Sequence, residues 1–399
     1  LSGLGNTITW SGGTNTINAG GTVQDTHWDV SGGTNTVEGD GGTTSGGGTL
    51  HVQSGGTGFE FTGAGAPNIT LNSDNTAAGR MLLEGNLSVA NTITGTATIS
   101  SGLALANDGF IDMGSGTRIF TVNNAPPAVD LSISAAIING GLTKAGLGTM
   151  ELSGTNTYTG DTNVNAGTLE LSGGSAIADT GHVEMADVAG ATLHLNANET
   201  IGSLAGGGTT GGDVELDTFT LTTGDAGNDT YSGSISGSGA FTKDGAGTLI
   251  LTGANTYTGE TKIDFGGGTL QLGDGGADGS LSSSSAIRIN GVINRFAVNQ
   301  SDTVTQGTDF GAAAISGNGG FTQAGSGTTI LNAVNTYTGG TEVDAGTLEI
   351  AGTGQLGSGA YGGNISIASG ATFKYNSSAA QTLSGRIDGA GDFVKDNSS

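Results

Sequence analysis

Apolar and polar residues alternate in a short box that recurs along the chain. The box has the form Thr-Leu-x-Leu, in which Met, Ile or Val can replace a leucine, and it begins at residues 49, 149, 168, 192, 248, 269 and 347. Because successive side chains of a strand point to opposite faces, each box places two apolar residues on one face and the residue between them on the other. Each box therefore predicts a short strand with one buried face.

The boxes recur with a period of about 20 residues. Pairs of boxes begin at 149 and 168, at 248 and 269, and at 328 and 347, where the box at 328 reads Thr-Thr-Ile-Leu. The hexapeptide Ser-Gly-Gly-Thr-Asn-Thr begins at 11 and again at 31. Such a period is typical of a β-solenoid, in which each coil buries its apolar face by stacking on the next. We predict an all-β solenoid with about 20 residues per coil, hence about 20 coils.

Composition supports the solenoid and excludes several classes of function. Of 399 residues, 80 are glycine, which supplies the positive φ that tight corners need, and none is cysteine, so disulfides and thiolate chemistry are excluded. The net charge of −25 argues against binding to nucleic acid or to anionic lipid, since both need basic residues. No apolar run reaches the 18 or more residues of a membrane span, so we expect no membrane insertion by this fragment.

A longer unit contains the paired boxes and repeats three times. Its copies occupy residues 141–171, 240–272 and 321–350, and the start of a fourth occupies 383–399. Each complete copy contains the sequence Asn-Thr-Tyr-Thr-Gly, which begins at 156, 255 and 335. The third copy departs at Gln323, where the others have Lys, and at Thr329, where the others have Met or Leu.

This arrangement predicts two regions, namely N-terminal coils with 20-residue repeats over 1–135 and a region with the longer units over 136–399. Because the sequence stops within the fourth unit, we expect it to be a fragment of a longer protein.

The longer unit resembles the passenger-associated transport repeat of bacterial autotransporters. The resemblance rests on the pattern Gly-x-Leu/Phe-Thr-Lys-x-Gly-x-Gly-Thr-Leu-x-Leu followed by Asn-Thr-Tyr-Thr-Gly. It implies a right-handed parallel β-helix that is secreted to the bacterial cell surface or beyond it, with the family's signal peptide and β-barrel outside this fragment. Passengers of that family are mostly adhesins or other surface proteins. The resemblance thus implies a surface-displayed passenger or stalk that serves adhesion or structural presentation.

The partners expected from this resemblance are a host or neighbouring cell surface, matrix, or a second copy of the chain. Two alternatives remain for the function. One is a self-assembling extracellular filament, because the ends of solenoids can stack on one another. The other is a carbohydrate-active β-helix enzyme, which needs two or three carboxylates on one face, and neighbouring coils about 20 residues apart could supply them.

The sequence predicts no catalytic, cofactor-binding or metal-binding residue, no cofactor, and hence no enzyme. The four histidines, His27, His51, His182 and His194, are far apart, and His51 and His194 occupy the variable position of a box, which points away from the core. No Gly-x-Ser-x-Gly elbow of a serine hydrolase is present. Residues 224–231 resemble one calcium-binding nonapeptide, but such sites need tandem copies, so we expect a plain acidic turn.

Overall fold

The computed structural model describes residues 7–17, 22–25, 27–37, 49–54, 58–72, 78–102, 108–264, 266 and 268–396. These residues form β-strands, turns and one short 3-10 turn at Gly357–Gly359. The strands stack in parallel into a β-solenoid of about 14 turns, which confirms the predicted fold class. No helix in the described ranges is long and apolar enough to cross a membrane.

Residue contacts divide the chain into two units, here called unit 1 (Leu1–Gly202 with Thr210–Gly212) and unit 2 (Ser203–Thr209 with Asp213–Ser399). The predicted division at 135/136 concerns the kind of repeat rather than contacts, and it stays a prediction.

The strands of unit 1 are mostly three to five residues long. They are β1 Thr7–Ile17, β2 Thr22–Asp25, β3 His27–Val37, β4 Thr49–Val52, β5 Gly58–Phe61, β6 Asn68–Leu71, β7 Arg80–Leu83, β8 Leu87–Val89, β9 Ala97–Ser101, β10 Phe110–Asp112, β11 Thr117–Val122, β12 Leu131–Ile133, β13 Ala136–Ile138, β14 Gly141–Ala145, β15 Thr149–Leu152, β16 Thr162–Val164, β17 Thr168–Leu171, β18 His182–Met185, β19 Thr192–Leu195 and β20 Glu199–Ile201.

Three parallel ladders run through unit 1. One follows the order β1-β3-β5-β8-β11-β14-β16-β18, one follows β3-β6-β9-β12-β15-β17-β19, and one follows β2-β4-β7-β10-β13. Each ladder joins a strand to its counterpart one coil later.

The strands of unit 2 are of similar length. They are β21 Ser203–Gly206, β22 Asp213–Glu215, β23 Thr220–Thr223, β24 Asp229–Tyr231, β25 Ile235–Ser236, β26 Ala240–Lys243, β27 Thr248–Leu251, β28 Thr261–Ile263, β29 Thr269–Leu272, β30 Ile287–Ile289, β31 Arg295–Val298, β32 Thr303–Thr305, β33 Ser316–Gly317, β34 Gly320–Gln323, β35 Thr328–Leu331, β36 Thr341–Val343, β37 Thr347–Gly352, β38 Ala360–Tyr361, β39 Ile365–Ile367, β40 Thr372–Ser377, β41 Thr382–Leu383, β42 Ile387–Gly389 and β43 Asp392–Lys395.

The main ladders of unit 2 are β24-β27-β29-β31-β34-β36-β39-β42, β23-β26-β28-β30-β33 and β32-β35-β37-β40-β43. The boxes of the second copy, β27 and β29, therefore share a ladder with the Phe-Thr-Gln strand β34 of the third copy, and not with its boxes. The stretch between the two copies shifts each strand type to another side of the coil. The last three residues of the predicted fourth copy lie outside the described ranges.

The strand register shows how many residues each coil contains. Coils within the repeats contain about 20 residues, as predicted, but other coils are longer, so the predicted number of coils was too high. Thr149 lies opposite Thr168 and Thr248 opposite Thr269, and in the N-terminal hexapeptides Thr14 lies opposite Thr34. Elsewhere the corners hold longer loops, so that Phe59 lies opposite Leu87, 28 residues later. Strand pairing fixes the strands of a coil but leaves its corners free to lengthen. The chain consequently makes about 14 turns rather than about 20.

The boxes have the predicted register. Leu169 and Leu171 are fully buried, whereas Glu170 between them lies on the outer face. Stacked coils thus share a continuous apolar interior.

Glu170 is less free than the pattern alone suggests, because it is half-buried and contacts the next coil. Its Oε1 lies 3.4 Å from Nδ1 of His194, and its Oε2 accepts a hydrogen bond from Asn196 at 3.3 Å. We expect Glu170→Ala to lower the free energy of unfolding by less than about 1 kcal/mol, since long ion pairs near the surface contribute little. Urea unfolding of the variant checks this, and a loss of several kcal/mol would contradict it.

Candidate functional site

The Asn-Thr-Tyr-Thr-Gly segments form the side of the coil that follows a box strand and leads into the next coil. Their asparagines Asn156, Asn255 and Asn335 are buried, although each lies between glycine- and threonine-rich turns. A buried amide is costly unless its donors and acceptors are satisfied. The segment is therefore held in place by the partners of this side chain.

The asparagine side chain joins one coil to its neighbours. Oδ1 of Asn156 accepts a hydrogen bond from the backbone N–H of Ile137 in the preceding coil at 2.7 Å. Its Nδ2 donates to the carbonyl of Ala176 in the following coil at 2.7 Å. Asn255 repeats the arrangement, accepting from Ile235 N–H at 3.0 Å and donating to the Ser280 carbonyl at 3.0 Å. Each of these two asparagines thus joins three successive coils by hydrogen bonds of its side chain.

A glutamate takes the same place in the coil that follows the first repeat. The buried carboxylate of Glu199 accepts hydrogen bonds from the backbone N–H groups of Ala176 and Ile177, at 3.3 and 2.9 Å. Burial raises the pKa of Glu199, and the two backbone donors oppose this rise. Glu199 lies outside the repeated unit, so the repeat pattern does not reveal it.

The tyrosine of each segment is fully buried and bonds to the threonine four residues later. Hydrogen bonds join Tyr158 to Thr162 at 2.7 Å, Tyr257 to Thr261 at 2.6 Å and Tyr337 to Thr341 at 2.8 Å. Each of these threonines begins the strand that directly follows the segment. Burial raises the pKa of all three tyrosines, so they stay neutral, as a core residue requires.

The lysine of the repeat lies at the corner before the box, with its ammonium group among backbone carbonyls. Nζ of Lys144 donates to the carbonyls of Ala145, Gly146 and Ala166, at 3.2, 2.8 and 2.9 Å, and the side chain is fully buried. Burial lowers the pKa of Lys144 to about 8, and the charge of Asp130 opposes this effect. Lys243 bonds to the carbonyls of Asp244 and Gly245, and burial lowers its pKa as well.

Gln323 fulfils the same role in the third repeat. Its Nε2 donates to the carbonyl of Gly325 at 2.8 Å, so an amide replaces the ammonium as the donor at this corner. The departure from Lys that the sequence shows is therefore compatible with the fold.

The second departure of the third repeat, Thr329, is less well accommodated. Its side chain is fully buried at a leucine position, and its Oγ1 has no hydrogen-bond partner. Because an unpartnered buried hydroxyl costs about 1–3 kcal/mol, we expect Thr329→Val to raise the free energy of unfolding of unit 2 by about 1 kcal/mol. Urea unfolding measures the change. The matched variant Thr341→Val, which removes a hydroxyl bonded to Tyr337 and Tyr361, should instead destabilise unit 2.

A carbohydrate-active enzyme needs two or three carboxylates on one face, and strand pairing in unit 1 brings two glutamates onto neighbouring coils. Glu151 lies opposite Glu170 on neighbouring coils of unit 1, and His194 lies opposite Glu170 on the next. Ser132 already donates to Glu151 at 2.7 Å, while His194 and Asn196 contact Glu170. Both carboxylates therefore serve contacts between coils.

The other sequence-derived candidates also have structural partners. His51 and His182 contact Glu84 and Glu184, at 2.9 and 3.4 Å, and the His27 side chain lies outside what the structure describes. In the acidic turn, Asp225 accepts a hydrogen bond from the Gly227 N–H at 2.6 Å, as in an ordinary turn. Among the residues described, no group of three or more His, Asp or Glu side chains could hold a metal ion.

Comparison with known proteins agrees with the repeats described above. The family described as Passenger-associated-transport-repeat matches residues 142–171, 241–272 and 321–350. The chain is also 38% identical over 208 residues to a protein named Adhesin BmaC autotransporter from Brucella suis biovar 1 (strain 1330), an alignment that covers 50% of this chain and 6% of that protein. No solved structure matches the chain.

The three matched repeats lie in a β-solenoid, the fold that the resemblance to autotransporter passengers implies. Together with the adhesin relative, they support the resemblance to an autotransporter passenger domain that the sequence shows. The chain spans only about 6% of the length of that relative.

Proposed function

We propose that this chain is part of a non-catalytic, surface-displayed stalk or adhesive segment of an autotransporter. The proposal is carried by one observation: the polar side chains that the repeats place within the solenoid bond to neighbouring coils. Asn156 and Lys144 each bond to the following coil, and Tyr158 fixes the turn into the next strand by its bond to Thr162. The name of the adhesin relative supports an adhesive role. The location would be the bacterial cell surface or the medium, and the partner a host or neighbouring cell surface, matrix or a second copy.

Within this function, the repeats would assist export by making each coil a template for the next. A newly exposed coil of about 20 residues gains apolar contacts, and the hydrogen bonds of the buried asparagines, as soon as it docks on an existing coil. The process needs neither disulfides nor a bound nucleotide. Folding outside the cell would thereby oppose return of the chain.

The export role is tested by placing charges on the two faces of one box. In the full-length protein, Leu249→Asp with Leu251→Asp puts two carboxylates into the core, whereas Ile250→Asp puts one on the outer face of the same strand. We expect the double variant to lose surface display, measured by antibody labelling of intact cells, and the single variant to keep it. Unchanged display of the double variant, with the strand shown to be disrupted, would refute the role in export.

The adhesive role is tested with the purified chain on beads. Beads that carry the chain should bind to cells or to extracellular matrix more than albumin-coated beads do. Equal binding by the two kinds of bead would contradict adhesion through this segment and leave the stalk role in place.

A further inference from the structure

Gln306 lies outside the three repeats, and every polar atom of its buried side chain has a partner. Nε2 donates to Oδ1 of Asn335 at 2.9 Å and to the Ala313 carbonyl at 2.9 Å. Oε1 accepts from Nδ2 of Asn335 at 3.1 Å and from the Ala333 N–H at 3.2 Å. An amide side chain has two N–H donors and two acceptor lone pairs, so all four are used.

Asn335 is satisfied to the same extent. Besides the two bonds to Gln306, its Oδ1 accepts from the Ile315 N–H at 2.8 Å and its Nδ2 donates to the Ala333 carbonyl at 3.2 Å. The two amides therefore form a reciprocal pair, here called the amide clasp (Gln306 and Asn335). In the second repeat the bonds of Asn255 go to backbone atoms instead. A fully connected buried network of this kind rigidifies the structure around it.

A column of five buried aromatic rings runs past the clasp. The ring centroids lie 5.7 Å apart for Phe310 and Phe296, 6.0 Å for Phe296 and Phe321, 6.5 Å for Phe321 and Tyr337, and 5.6 Å for Tyr337 and Tyr361. Among the described residues of the second repeat, the corresponding contact joins Phe241 and Tyr257, at 6.0 Å. Such tilted and edge-on ring contacts add to the stability that burial alone gives.

Buried hydroxyl groups also link the last two rings of the column. Thr341 Oγ1 bonds to the hydroxyls of both Tyr337 and Tyr361, at 2.8 and 2.7 Å, and Tyr361 donates to the Gly339 carbonyl. Burial raises the pKa of Tyr361 to about 12, which keeps this hydroxyl a donor. The unpartnered Thr329 hydroxyl and Gln323 Oε1 lie in the same stretch and oppose these contributions.

We propose that residues 294–361 are a locked segment within unit 2, which stays folded while the coils on either side of it open and close. In a solenoid each coil contacts only its neighbours, so the stability of a stretch depends on its own contacts and interfaces. Local opening accordingly occurs in cooperative blocks of unequal stability. The amide clasp and the aromatic column concentrate side-chain contacts in this block. Coils that open next to it can re-form on it as a template.

Amide hydrogen exchange on the whole chain, resolved by mass spectrometry, tests the proposal. In the unmodified protein, amides of β31, β34 and β36 should exchange at least about tenfold more slowly than those of β26 to β29. Equal or faster exchange in the locked segment would overturn the proposal, and this comparison needs no variant.

Two matched substitutions show whether the clasp is responsible. Gln306→Met keeps the length of the side chain but removes all four hydrogen bonds, and it should accelerate exchange throughout 294–361. Asn255→Leu removes side-chain hydrogen bonds that go to backbone atoms only. It should accelerate exchange around 235–280 while leaving exchange in 294–361 unchanged. A Gln306→Met effect confined to the amides of Ala333 and Ile315 would refute the clasp as the origin of the lock.

Discussion

Replacing Tyr257 with alanine should lower the free energy of unfolding of unit 2 by about 3–5 kcal/mol, the usual cost of deleting a fully buried large aromatic side chain. The ring is completely buried and lies 6.0 Å from that of Phe241. The substitution also removes the hydroxyl partner of Thr261, which begins the following strand, β28. Urea or thermal unfolding followed by circular dichroism measures the loss.

Tyr257→Phe is the matched control, because it keeps the ring and removes only the hydroxyl. Thr261 retains a second hydrogen bond, to Ser285 at 2.7 Å, so we expect a cost of about 1 kcal/mol. If phenylalanine destabilised unit 2 as much as alanine, the hydrogen bond to Thr261 would outweigh packing of the ring. If neither variant had an effect, the tyrosine would not hold the coils together.

The strands could be predicted from the sequence because their constraint is local. In the box at 168, alternation alone places Leu169 and Leu171 inside and Glu170 outside, and the structure agrees. The period between boxes follows from parallel pairing, in which each Thr of a box lies opposite the Thr of the next. Stacking of near-identical coils makes such a register visible in a single sequence.

The residues that join the coils were harder to predict, because their partners are distant in sequence and come close only when the coils stack. The repeat marks Asn156 and Asn255, but the partners of their amides are backbone groups of other coils, which no side-chain pattern reveals. Gln306 lies in a stretch without a box, 29 residues before Asn335, and only the stacking brings the two amides together. The corners were also unpredictable in length, since loops outside the strands carry no pairing constraint.

The lysine of the repeat is a charged side chain that is nevertheless buried, because neighbouring backbone carbonyls surround its ammonium group. A lysine on a strand would ordinarily be read as a solvated residue, yet Lys144 is fully buried. The corner supplies three carbonyls that replace water around the ammonium group, and one of them belongs to the next coil. Gln323 shows that the corner also accommodates an uncharged N–H donor. The positive charge therefore adds a dependence on pH that the third repeat lacks.

Stability of unit 1 should rise with pH above about 8, because of Lys144. The folded protein lowers the pKa of this ammonium from 10.5 to about 8. Between these values the unfolded chain binds more protons than the folded one, so the free energy of unfolding increases by up to about 1.4 kcal/mol per pH unit. Below pH 8 both states are protonated and the contribution is absent. Over the whole window it amounts to about 3 kcal/mol.

Urea unfolding between pH 7.5 and 9.5 measures this effect below the pH at which tyrosines of the unfolded chain ionise, about 10. Lys144→Gln, which introduces the residue of the third repeat, should remove the rise in unit 1 while preserving the corner. Lys262→Gln is the control, because this lysine lies on the outer face of β28 beside Asp264, and its replacement should leave the rise intact. A Lys144→Gln protein whose stability still rose with pH by the same amount would show that the buried ammonium is not the group that titrates.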